Sequence, residues 1–278
     1  MFNCMRKKIN KYFCISISIM AFMLIATSTY AQRVSINPTI LSFNVNTGET
    51  STQTITIINL SEQKQAFELT LGDWLRDSVG SHKYLPVGTL KNSCANWVKL
   101  DNNIVEVEAR QTKEVRVTLN TPSDPEQFKE MKWAMLFVQN VTEQAGSKNA
   151  DGKVTAKLTE VFRFGIHIYQ TPPGVTRREA KALSLKQDTV EKNVYDFEIA
   201  NIGSTQLTCK ARLELTNIEN GKEIKLEEVE FPVFPGAKRI VKLPLPADIP
   251  KGKYSMLALL DYDTSMPLEA VEMGIEIK

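Results

Sequence analysis

Histidine and cysteine are scarce in this chain. Its 278 residues include 2 His and 4 Cys, and Cys4 and Cys14 fall in an N-terminal segment read below as cleaved. A catalytic nucleophile needs a base within hydrogen-bond reach and a group to orient that base. His82, His167, Cys94 and Cys209 are each isolated in the sequence, and His167 stands among Phe and Ile neighbours like a structural histidine. Gly-x-Ser-x-Gly turns, paired-cysteine metal spacings and Gly-x-x-x-x-Gly-Lys phosphate loops are all missing. Asp261 and Asp263, two apart, have the spacing to hold a hard cation with loop oxygens. A polar strand end before Ser265-Met266-Pro267 is the stronger reading of that pair. The chain therefore reads as a non-enzyme with no cofactor and no metal.

Two further absences narrow the class. Beyond residue 31 no apolar run approaches the ~20 residues a spanning helix needs, which argues against membrane insertion of the mature chain. No basic patch with interleaved aromatics argues for nucleic acid either. Residues 1–31 do carry an apolar run. Arg6, Lys7, Lys8 and Lys11 precede CISISIMAFMLIA at 14–26, and TSTYA at 27–31 ends in a small residue. That order is a secretory signal cleaved after Ala31, with a retained anchor as the other reading. Removing its four basic residues from the chain's 34 Lys plus Arg leaves 30 against 32 acidic residues, so the pI of 8.2 belongs largely to the leader. The mature protein is expected to be exported to the periplasm, with the cell surface as the alternative. Its two cysteines are too few for a disulfide framework. They are either idle thiols or one bridge between the two halves.

What is abundant is short β patterning punctuated by turns. Residues 39–45 (TILSFNV), 51–58 (STQTITII), 66–71 (AFELTL), 113–119 (KEVRVTL) and 132–141 (KWAMLFVQNV) read as strands, with Asn46-Thr47-Gly48, Asp101-Asn102-Asn103 and Thr121-Pro122 between. The most apolar, 132–141, reads as a central strand with Trp133 and Phe137 on one face. Past Pro172-Pro173 the runs resume at 182–186, 194–200, 208–215, 223–226, 239–243, 254–260 and 269–277, with Asn220-Gly221 a strong hairpin signal. Strands at this spacing predict an all-β chain of two immunoglobulin-like sandwiches in tandem, at 32–171 and 172–278.

One stretch organises the rest. Residues 154–169 (VTAKLTEVFRFGIHIY) place Leu158, Phe162, Phe164, Ile166 and Ile168 on one face and Lys157, Arg163 and His167 on the other. A strand of that length, following the polar segment 142–153 and running into two prolines, closes the first domain and leads into the second. At a sheet edge it would present unpaired N–H and C=O groups, which suit addition of a strand to a partner's sheet. An internal sandwich strand is the other reading.

These residues resemble the PapD-like pilus chaperones. The resemblance rests on VSINP at 34–38, ITIIN at 55–59, Trp74 after a β run, EVRVTLNTP at 114–122, and 132–138 before the long loop. It implies two immunoglobulin-like domains in a PapD-like arrangement, and a last strand of the first domain lent to an exported pilus or surface subunit that awaits an outer-membrane usher. Leu158, Phe162, Phe164, Ile166 and Ile168 would be the donated side chains. The family anchors the subunit's terminal carboxylate with an Arg near the first strand and a Lys late in the last. Those positions fall near Ile40 and near Ile166 or His167, with no basic residue kept in register. Arg163, His167 and Arg33 are the candidate replacements. The expected function is a chaperone-like protein capturing exported subunits by β-strand addition. The alternative is a structural or adhesive envelope protein built from the same modules.

Overall fold

A computed structural model describes residues 33–141 and 162–278. The regular structure of the described residues is nearly all strand. In order these are β1 (Val34–Asn37), β2 (Ile40–Phe43), β3 (Thr50–Asn59), β4 (Gln65–Arg76), β5 (His82–Leu85), β6 (Val98–Leu100), β7 (Ile104–Val107), β8 (Thr112–Asn120), β9 (Lys132–Val141) and β10 (Arg163–Gln170). The second half contributes β11 (Ala180–Gln187), β12 (Val194–Asn201), β13 (Leu207–Asn217), β14 (Glu223–Lys225), β15 (Val229–Val233), β16 (Lys238–Pro244), β17 (Gly252–Asp261) and β18 (Glu269–Ile277). Two 3-10 turns at Ala95–Trp97 and Pro125–Phe128 are the helical elements among the described residues.

Strands β1 to β10 form one sandwich. The sheet β1-β3-β8-β6 faces β2-β10-β9-β4-β5, with β7 added on β4. Inner residues alternate with outer ones, as in β3, where Ile55 and Ile57 are fully buried and Thr54 and Thr56 are not. Pro38 lacks an N–H and separates β1 from β2, which lie in opposite sheets. Strands β11 to β18 form the second sandwich, β11-β12-β16 against β14-β13-β17-β18, with β15 on β13. Its core gathers Phe197, Ile199, Leu215 and Met256, all with no exposure. Near the start of β17, the buried Tyr254 donates its hydroxyl proton to the Pro250 carbonyl at 2.9 Å, the tyrosine corner of immunoglobulin-like domains.

Each sandwich repeats one polar device. Asn59, fully buried at the end of β3, donates through Nδ2 to the carbonyls of Gln63, Val107 and Glu108 and accepts from the Ser61 N–H. Asn201, at the end of β12, donates to Thr205 and Val233 carbonyls and accepts from the Gly203 N–H. A buried asparagine that satisfies loop carbonyls turns the chain without orphaning backbone groups.

Several readings of the strands need correction. β4 runs on to Arg76 instead of ending at Leu71, because β5 pairs with Asp73 to Arg76 and extends the ladder. β5 and β15 are short and weakly patterned, and neither is legible in the sequence. β10 spans Arg163–Gln170, and the portion of the long strand at 154–161 lies outside the described residues. Nor is β10 an edge throughout: β2 pairs with it in parallel from His167 to Gln170. Cys94 and Cys209 sit apart, Cys94 in the first core and Cys209 in the second, both as free buried thiols. Burial pushes the Cys209 thiol up to about 12 and raises that of Cys94 as well. Asp263 is committed to Arg178 at 2.6 Å and to Ser265.

Candidate functional site

The site is the half of β10 that β2 leaves bare. β9 is central, with β10 on one side and β4 on the other, and β10 pairs with it antiparallel from Arg163↔Gln139 to Gln170↔Lys132. In such a ladder alternate residues turn both backbone groups toward the partner and the others turn theirs away. Parity follows from two contacts. The Asn140 N–H donates to the Phe162 carbonyl, and the His167 N–H donates to the Thr39 carbonyl at 3.0 Å. Even residues of β10 therefore bond β9, and odd ones face outward. β2 satisfies the outward groups from His167 onward. Arg163 and Gly165 precede that cover, so their N–H and C=O groups face a stretch where no described strand is paired.

Side chains divide the same way. Ile166 and Ile168 are fully buried in the first core, and Phe162 and Phe164 pack against it half-buried, with ring centroids 5.5 Å apart. The face expected to carry donated side chains is thus buried in its own core at Ile166 and Ile168, and only partly covered at Phe162 and Phe164. Leu158 lies outside the described residues. Phe162 is tied down by its N–H, which donates to Asn140 Oδ1 at 2.8 Å.

The candidate anchors separate. Parallel pairing puts Ile40 and His167 side by side, so the two positions estimated from the sequence do meet. Ile40 is half exposed and carries no charge. His167 is half-buried, 4.7 Å from Trp74 and 5.8 Å from His82 between ring centroids. Burial first, then the nearby His82 and Arg76, hold it below the usual histidine value. Arg163 is exposed and lays its guanidinium over the Phe137 ring, 3.5 Å from the centroid. Arg33 precedes β1 and so belongs to the opposite sheet.

Sequence reasoning set Trp133 and Phe137 on one face of β9 but did not anticipate that the second sandwich covers that face. Trp74, Met131, Trp133, Met135 and Phe137 form a second buried cluster, and Phe234 of the second sandwich packs into it. Phe234 lies 5.1 Å from Trp74 and 4.8 Å from Trp133 between centroids. The indole nitrogens are satisfied by main-chain carbonyls, Trp74 to Ala134 and Trp133 to Trp74. A signal for this was present, because β9 is apolar at odd and even positions alike, and a strand apolar on both faces is covered on both.

No protein-family model matches the sequence, and no curated protein matches it. Solved structures do match in fold. This is the two-sandwich fold of the fimbrial chaperones, PapD-like in architecture. A chain of the chaperone–tip adhesin complex of CFA/I fimbriae biogenesis is 10% identical with a TM-score of 0.50, covering 87% of this chain and 98% of that one. The class 5 fimbriae chaperone CfaA is 11% identical with a TM-score of 0.47 and the same coverages. The Salmonella enterica complex of SafA pilin with the SafB chaperone contributes a chain at 14% identity, with a TM-score of 0.44, covering 88% of this chain and 99% of that one.

Proposed function

We propose that this chain is a non-enzymatic chaperone that captures exported pilus or surface subunits by β-strand addition, with residues 32–171 and 172–278 as its two domains. The single observation that carries the reading is the uncovered edge of β10 at Arg163 and Gly165, in a fold shared with a fimbrial chaperone complex. An unpaired edge recruits a strand through main-chain bonds, and alternate side chains set its register. In the sequence the alternating apolar pattern runs back from Phe162 to Leu158, N-terminal to the packed residues Ile166 and Ile168. Leu158, Phe162 and Phe164 are the donated side chains in this reading, and Ile166 and Ile168 hold the strand to its own sandwich.

The chain is exported to the periplasm through cleavage near residue 31 and hands its subunit to an outer-membrane usher. His167, beside Ile40, is the anchor candidate best placed in the fold. Replacing Phe162 and Phe164 together with Asp should abolish co-purification of a small exported subunit while the circular dichroism of the second sandwich persists. Undiminished capture by that folded variant would sink the proposal. A mature protein found on the cell surface and cleaved by external protease would favour the adhesive reading instead.

A further inference from the structure

Four partnerless nitrogens gather where the β4–β5 hairpin meets the second sandwich. Arg76 Nε, His82 Nε2, His167 Nε2 and Arg239 Nε are each buried without a hydrogen-bond partner. Topology brings them together. Arg76 and His82 are register partners across the hairpin, His82 and His167 have ring centroids 5.8 Å apart, and Arg239 reaches over from β16. Both arginines grip the same turn. Arg76 Nη1 donates to the Gly80 carbonyl at 3.1 Å and Arg239 Nη1 to the Ser78 carbonyl at 3.2 Å. The Arg239 guanidinium fills the space where a Cβ on Gly80 would sit, and the Ile240 N–H donates to Ser78 as well.

Cationic groups outnumber carboxylates at this spot. Asp77 is the carboxylate of the turn, and it is already engaged: Oδ1 accepts from the N–H groups of Val79 and Ser81, and Oδ2 lies 3.8 Å from Lys83 Nζ. Tyr84, stacked on His82, and Tyr169, stacked on His167, complete the ionisable neighbours. Among the described residues no carboxylate pairs with either arginine. Two neighbouring guanidinium groups that grip one turn, each with an idle buried donor, are costly to hold without a counter-charge. Arg239 feels this directly: burial first and then Arg76 lower its proton affinity, with Asp77 opposing them more weakly.

We propose that Arg76 and Arg239, with His82 and His167 beside them, form an oxyanion-binding site that joins the two sandwiches and takes a sulfate, phosphate or carboxylate group. Guanidinium forks match the paired oxygens of such groups, and the imidazoles each bring a further nitrogen that lacks a partner. The site shares His167 with the anchor of the proposed function and rests on that reading to that extent. Binding of a free anion through Arg76, Arg239 and His82 needs neither the open edge nor a partner protein, so loss of one leaves the other testable.

The test titrates sodium sulfate, sodium phosphate and sodium acetate into the purified chain against sodium chloride at equal ionic strength. The readouts are the imidazole proton resonances of His82 and His167 and the thermal midpoint. Saturable shifts with sulfate or phosphate beyond those of chloride, with both histidines titrating at higher pH, are expected for a tetrahedral ligand. The same shifts with acetate alone assign a carboxylate. R76Q/R239Q should weaken the response by about tenfold or more, the loss of charged bidentate contacts, with unchanged circular dichroism. Responses no greater than chloride for all three anions, or an undiminished response in R76Q/R239Q, overturn the proposal.

Discussion

Single residues do most of the turning in this fold. Asn201 satisfies two carbonyls and one N–H from a buried position, and its replacement strands all three. Asn201→Ala is expected to cost about 1–3 kcal/mol, read as a lower denaturant midpoint at unchanged slope. His82 and His167 set a pH dependence. Both are held below the ordinary histidine value of 6.5 by burial, reinforced by Arg76. The folded state therefore resists their protonation more than the unfolded chain does. Stability is complete above about pH 6.5 and declines as the pH falls below it. Thermal midpoints should drop between pH 7 and pH 5, and H82Q/H167Q should flatten that part of the profile.

Among the elements, β10 combines two duties separated by parity. Its even residues bond β9 and fill the core, and its odd ones face the open edge and then β2. Proline scanning exposes the difference, since proline is tolerated in a strand where its missing N–H faces outward. Phe164→Pro removes a donor from the β9 ladder and should lower stability by about 1–3 kcal/mol. Arg163→Pro removes an outward donor at an exposed position, so it should leave the melting temperature closer to that of the parent and weaken subunit capture. Equal loss of stability at both positions would contradict the parity.

At the scale of the whole molecule, the two sandwiches are joined by more than their linker. Phe234 sits against Trp74 and Trp133, the Met131 N–H donates to the Ser204 carbonyl at 2.8 Å, and the β4–β5 turn lies along β16. Buried Phe to Ala changes cost about 3–5 kcal/mol in cores. Phe234→Ala should therefore uncouple the halves, splitting one calorimetric transition into two and raising the radius of gyration in solution scattering. A single transition with an unshifted midpoint would show that the linker and hairpin alone set the coupling.

How much of this was legible varies with the range of the interaction. The all-β class, the inner faces of β3, β8 and β9, the Asn220-Gly221 turn and the alternating face of β10 are written locally, because side-chain direction in a strand has period 2 and turn residues carry their own backbone preferences. The short β5 and β15 were not, since four or five residues hold too little pattern to stand out. Nor was the pairing of β10 with β2. It joins His167 to Ile40 across more than a hundred residues, and nothing in either segment names the other. That contact decides which part of β10 is covered and which is bare. The gathering of Arg76, His82, His167 and Arg239 is likewise a product of packing, since those residues come from three strands of one sandwich and one of the other. Local sequence determined which residues make strands and which face turns inward. Only the tertiary structure decided which edges and charges are left without partners, because burial and pairing are properties of the assembled sheets.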